Sequence, residues 1–136
     1  MSLQASVAYR NAMLDLIETV VGTGAKIRIY TGAQPASVAA AATGALLAQF
    51  DLASDWIGPS VGGAKPLLDV PIESVGLAAG KAGHFRILRS DGAICDFQGS
   101  VVRAGAGPGD MVIDNDDIGQ GEAVQILSFA FGAPMA

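Results

Sequence analysis

The chain contains one cysteine, one histidine and one tryptophan among 136 residues, and each scarcity narrows what it can do. A lone Cys95 excludes an intrachain disulfide, and its neighbours Ile94 and Phe97 predict a small buried hydrophobe rather than a reactive thiol. A zinc centre needs several Cys or His at close spacing, which one of each cannot supply. Charge is also sparse, at 15% of residues, with 8 basic against 13 acidic and a formal net charge of −5. Nucleic-acid affinity rests mainly on clustered Lys and Arg, so no direct nucleic-acid partner is expected. Apolar runs all break before the roughly 18 to 20 residues that cross a bilayer, so no membrane partner is expected either. Arg10 and Asp15 interrupt the N-terminal apolar pattern, which is not the pattern of an export signal.

What is abundant is apolar surface: 51% of residues are hydrophobic and 18 are glycine. Such a chain is expected to fold, as one domain over 1–136, and to associate. Ser6 can cap a helix over 6–22, in which Met13, Leu14, Ile17, Val20 and Val21 recur at spacings of three and four. Gly22 and Gly24 end it, and the period changes to two at Lys26-Ile27-Arg28-Ile29-Tyr30, a half-buried strand. Residues 33–44, rich in alanine, read as a loop carrying a short helix. Further strands are predicted at Leu46–Leu52, Pro66–Ile72, Met111–Ile113 and Ala123–Phe131, the last with Leu127, Phe129 and Phe131 on one side. Trp56 and Ile57 are expected to pin the connection from Ser54 to Lys65, between Leu46–Leu52 and Pro66–Ile72, to the core. Proline lacks a ladder donor, which makes Pro66–Ile72 an edge strand. Short strands separated by Gly and Pro give the expected fold class: mainly β, an antiparallel β-sandwich or jelly-roll-like barrel over 26–132, with one N-terminal amphipathic helix.

The strongest local signal is a hairpin around Ser90-Asp91-Gly92. A two-residue turn mixes polar and apolar side chains on both faces. A three-residue turn with Gly92 in a left-handed bulge opposes Phe85 with Phe97, Ile87 with Cys95, Arg86 with Asp96 and His84 with Gln98, giving one apolar and one polar face. Leu88 and Ile94 are exceptions on the polar face, to be covered by another element or subunit.

Four stretches imitate chemical motifs. Gly58-Pro59-Ser60-Val61-Gly62 matches the G-x-S-x-G nucleophile elbow but follows a polar turn, precedes glycines and Pro66, and would depend on the only histidine. Asp114, Asn115, Asp116 and Asp117 gather oxygen ligands, yet the glycine and bidentate glutamate of a calcium loop are missing, which leaves a solvated turn. Gly76-Leu77-Ala78-Ala79-Gly80-Lys81 is one residue short of a phosphate loop and lacks the following hydroxyl. Gly105–Gly109 has a proline among its glycines and no helix after it. No enzyme, cofactor or metal is expected, because no nucleophile, base and orienting group form a set.

Several stretches stand out together: Arg10-Asn11-Ala12-Met13-Leu14-Asp15 leading to Glu18, Ile27 through Ala36, Ser54-Asp55-Trp56, Ala82 through Ile87, Gly109 through Asn115, and Gly121-Glu122-Ala123-Val124 ending in Ser128-Phe129. In these the chain resembles a family of small virion structural proteins of tailed bacteriophages and prophages. The resemblance implies a non-enzymatic protein located in the virion after synthesis in the bacterial host cytoplasm. The role it best suits is a head decoration or cement protein, with the chain itself and a major capsid protein as partners. No catalytic residues carry over. Candidate contacts are Leu88 and Ile94 on the hairpin, Leu67 and Leu68 on the proline-bounded edge, and the N-terminal helix. A tail or neck position is the alternative, and a carbohydrate-binding module a second one, although Trp56, Tyr9 and Tyr30 lie far apart in sequence.

Overall fold

The computed structural model describes residues 3–133. Helix α1 (Val7–Val20) starts where Ser6, in an extended conformation, accepts a hydrogen bond from the Tyr9 amide at 3.1 Å. That bond satisfies one of the amide donors that every helix start leaves free. Leu14, Ile17 and Val21 follow at helical spacing and are buried. Gly22 and Gly24 take positive φ and turn the chain into the sheet.

Nine strands follow: β1 (Lys26–Thr31), β2 (Leu46–Asp51), β3 (Ala64–Pro66), β4 (Ile72–Val75), β5 (Gly80–Leu88), β6 (Cys95–Arg103), β7 (Met111–Ile113), β8 (Asp117–Ile118) and β9 (Ala123–Gly132). The protein is mainly β with one N-terminal helix, as its pattern predicts. The strands form one curled mixed sheet in the order β2-β1-β5-β6-β7-β9-β3, with β4 also on β9 and β8 on β5. Curling brings its ends together: Ser74 donates its hydroxyl to the Gln49 carbonyl at 2.6 Å, and the Leu77 amide donates to Leu47 at 2.7 Å. The result is a half-barrel filled by one apolar cluster that runs from Leu14 and Ile17 through Ile27, Phe50, Phe85 and Ile87 to Val124 and Ile126.

One pairing departs from the antiparallel rule, since β6 and β7 run parallel. A parallel return normally needs a crossover of a dozen or more residues. Here the paired stretch is only Val101–Arg103 against Met111–Ile113, so residues 104–110 need to retrace only about 10 Å, within reach of a short loop. Gly105 and Gly107 supply the positive φ for that return.

The hairpin forms with a different register. Ile87 opposes Phe97, Arg86 opposes Gln98, Phe85 opposes Gly99 and His84 opposes Ser100, two residues beyond the expected pairs. The loop holds four residues, closed by Arg89 N to Ile94 O at 3.0 Å and Gly92 N to Arg89 O at 2.8 Å, with Gly92 at φ 72. Asp96 is then an extra residue between the pairs Ile87/Phe97 and Leu88/Cys95, and its carboxylate turns to Arg89 at 2.9 and 3.1 Å. A slide of two preserves strand parity, so the faces stay as expected while the partners change. Gly99 explains the choice, because a Cβ there would stand 2.9 Å from the Phe85 ring, which packs over the bare backbone.

Other departures have equally local causes. Leu127 does not share a face with Phe129 and Phe131: β7 pairs Val112 with Ser128 and Ile113 with Ile126, so Leu127 is a bulge that shifts the phase of β9. The predicted strand Pro66–Ile72 is split, with β3 and β4 on either side of a bend. Both pieces lie on the same side of β9, so this stretch is still an edge. No helix forms in 33–44.

That loop instead roofs the polar face of β1, β5 and β6. His84, Arg86 and Gln98 lie on the expected polar face, yet His84 and Arg86 are buried. His84 Nδ1 donates to the Gly32 carbonyl at 2.9 Å, Gln98 Nε2 to Pro35 at 2.8 Å and Arg86 Nη2 to Val38 at 2.6 Å. Cys95 is half-buried and polar in its contacts, accepting from Arg86 Nε at 3.1 Å and donating to the Phe97 carbonyl. Leu88 is buried beside this roof, whereas Ile94 at the hairpin tip is 46% exposed. Leu88→Ala is therefore expected to lower stability by about 2–3 kcal/mol, and Ile94→Ala by under about 0.5 kcal/mol. Urea unfolding of the two variants measures the difference.

Candidate functional site

Helix α1 presents two apolar faces, and only one is used by the core. Its inner row is clamped from the side by the connection that leads into β3. Gly63 N donates to the Asn11 side chain at 2.9 Å, and Ser60 donates its hydroxyl to the Asn11 carbonyl at 3.1 Å and to the Asp15 carboxylate. Lys65, only 1% exposed, extends under the helix to Asp15 at 3.1 Å and Glu18 at 2.6 Å. Glycine suits position 63 through its φ of 79, and the Arg10 guanidinium occupies the space a Cβ would take. At the far end of the helix, Trp56 donates its indole N–H to the Gly22 carbonyl at 2.8 Å.

The electrostatics of the clamp follow from these bonds. The Ser60 hydroxyl, then the Lys65 ammonium, hold the Asp15 carboxyl below the usual carboxylate value against a smaller opposing effect of burial. Burial pulls the Lys65 ammonium downward, but its hydrogen bonds to Glu18 and Asp15 together outweigh that and raise it. A protonated lysine is no general base, so the G-x-S-x-G serine is a docking group in this arrangement. The structure does not join Ser60 to His84, whose ring is stacked on Tyr30 at 5.3 Å and bonded to Gly32.

Tyr9, Met13, Leu16 and Val20 form the outer row, at successive spacings of four, three and four. Tyr9 is 60% exposed, Leu16 58% and Val20 50%, with Met13 half-buried between them. The row borders a cleft of about 230 Å³ whose other wall is Asp96 and Phe97 at the start of β6. Phe97 continues into a chain of aromatic contacts, to Phe131 at 4.6 Å, Phe129 at 4.8 Å and finally Phe85 in the core at 5.2 Å. Sequence reading placed Met13 and Val20 on the core face and passed over Tyr9 and Leu16. Their spacing was the available signal, hidden because both rows obey the same period.

The other residues chosen from the sequence do not gather. Leu67 and Leu88 are buried within the chain and offer nothing to a partner, Leu68 is half-buried, and Ile94 stands alone at its hairpin tip. Leu67 points inward because its amide is tied to Phe129 of β9 at 3.0 Å, fixing its alternation. In the acidic loop, Asp114 accepts from the amides of Asn115 and Gln125, and Asn115 accepts from Asp117, as in a turn that bonds its own backbone. Among the described residues no group of three or more His, Cys, Asp or Glu is placed to hold a metal ion. Gly80 and Lys81 belong to strand β5, paired with β8, and not to a helix start.

No family model, curated protein or solved structure matches this chain. Function must be read from the residues themselves.

The clamp has a defined pH response. Asp15 has a lowered folded-state pKa, so its stabilisation is present above 3.8 and is lost as pH falls through that lower value. Lys65 has a raised one, so its stabilisation is complete below 10.5 and is lost as pH rises through the higher value. Thermal melts followed by the single Trp56 are expected to show both limbs, with Asp15→Asn flattening the acid limb and Lys65→Met the alkaline one. Lys65→Met is also expected to cost about 1–3 kcal/mol at neutral pH.

Proposed function

We propose that this chain is a non-enzymatic structural protein of a tailed-phage virion, and within the virion a head decoration or cement protein. The observation that carries the assembly part of this reading is the outer row of α1. A surface helix in a chain of this size normally keeps one apolar stripe, turned to the core. Here the apolar surface continues past the buried row onto an exposed flank of the helix that adjoins a half-buried aromatic ladder, which is the kind of surface that association covers. The virion part is carried by the resemblance of the stretches around Arg10–Glu18, Ile27–Ala36, Ala82–Ile87 and Gly109–Asn115 to small phage structural proteins.

Two further features suit the role. The clamp through Lys65 and Ser60 fixes α1 rigidly to the sheet, so its outer row is presented without a large ordering cost on binding. Many copies arrayed on a symmetric shell let a modest contact act repeatedly, so a single helix face can suffice.

The test is co-sedimentation of the purified chain with heads of the phage or prophage that encodes it. Saturable binding to assembled heads is expected, and Leu16→Glu is expected to weaken it at least about tenfold while leaving circular dichroism unchanged. Absence of binding to heads, together with a soluble ring of many subunits in sedimentation velocity, overturns the decoration role in favour of a tail or neck position. Unimpaired binding by Leu16→Glu overturns the assignment of the contact to α1.

A further inference from the structure

On the roofed side of the sheet, β1 and β5 place Arg28 and Arg86 directly opposite each other on one face. Like charges in that position repel. Neither guanidinium has a carboxylate within salt-bridge distance among the described residues, where the ion pairs are Lys26 with Asp51, Lys65 with Asp15 and Glu18, and Arg89 with Asp96. Arg28 Nε donates to the neutral Gln49 side chain at 2.8 Å, and the Gln49 amide in turn reaches Asp51 at 3.0 Å, so the nearest negative charge is one amide removed and already held by Lys26. Arg86 is 4% exposed, and both of its protein acceptors, the Cys95 sulfur and the Val38 carbonyl, are uncharged.

Arginine cannot relieve this by losing its proton, and an unbalanced charge taken out of water is costly. Anchoring the roof does not require the charge: Gln98 makes the equivalent bond to Pro35 with a neutral amide. The surplus positive charge faces a cleft of about 270 Å³ between the two arginines, Tyr30 and Leu88 on one side and the Val38–Ala42 segment on the other. From this we propose that the cleft is a binding site for a short aliphatic dicarboxylate, one carboxylate toward each guanidinium. The flat guanidinium fork matches a carboxylate in two parallel hydrogen bonds. The alanine methyls and Leu88 form an apolar wall that suits an aliphatic body and that a bare inorganic anion leaves unfilled. The site lies on the sheet face away from α1 and is independent of the structural role proposed above.

Isothermal titration of the whole chain with glutarate tests this, with inorganic phosphate and sodium chloride at matched ionic strength as comparisons. Saturable binding of one glutarate per chain is expected at about millimolar dissociation constant or tighter, together with a raised thermal midpoint. Arg28→Gln, at the less buried position, is expected to weaken binding at least about tenfold with unchanged circular dichroism. Arg86→Gln removes the charge with a shorter neutral side chain and is expected to do the same. No saturable glutarate binding, binding left intact by both variants, or phosphate bound as tightly as glutarate each overturns the proposal.

Discussion

Three side-chain donors on one sheet face, His84, Arg86 and Gln98, reach the carbonyls of Gly32, Pro35 and Val38 at intervals of three residues. Much of the β1–β5–β6 side of the molecule depends on them. The segment they hold belongs to the loop 33–44, half of which is alanine, and it has too little side-chain area to fold back by hydrophobic burial alone. Bonded through its backbone, it converts the polar side of the sheet into a second interior, with Tyr30 stacked on His84 beneath it. Buried donors left unsatisfied are expensive, so the roof and the polar face require each other.

The opposite face is conventional in its packing and unusual in its fastening. Leu14, Ile17 and Val21 lie on the apolar interior of the half-barrel, as an amphipathic helix should. The helix is then held from the side by Lys65, Ser60 and the Gly63 amide, three groups from one glycine-rich connection. This explains why a G-x-S-x-G pattern occurs without the chemistry it imitates: glycine at 58 lies close against Pro66 and Leu68, glycine at 62 takes a positive φ in the turn, and serine at 60 serves the helix. With the inner helix row and both sheet faces occupied, the outer row of α1 and the arginine cleft are the surfaces left for recognition, one apolar and one cationic.

Bulges account for most of the distance between pattern and register. Asp96 in β6 and Leu127 in β9 are single extra residues, and each is compensated locally: Asp96 by Arg89, and Leu127 by the shift that brings Phe129 and Phe131 onto the aromatic ladder. Alternation of side chains reveals which face a residue takes, so the inward Phe85 and Ile87 were legible. Alternation cannot distinguish registers that differ by two, because both preserve parity. The choice fell to the steric fit of Phe85 over Gly99, a contact between residues fourteen apart that no local pattern encodes.

The amino-acid sequence by itself determined the helix with its Ser6 cap, most of the strands, the glycine turns and the half-barrel's mainly β character, because these follow from periodicity and from backbone preferences that act over a few residues. Tertiary structure alone decided that Leu67 and Leu88 turn inward, that Tyr9, Met13, Leu16 and Val20 form an outward row, and that Arg28 and Arg86 share a roofed cleft. The reason is that burial is a property of neighbours in space. A polar strand face is wet or dry according to whether a distant loop finds carbonyls to bond it, and residues 32–38 lie some fifty residues away from the His84 and Arg86 side chains that bind them.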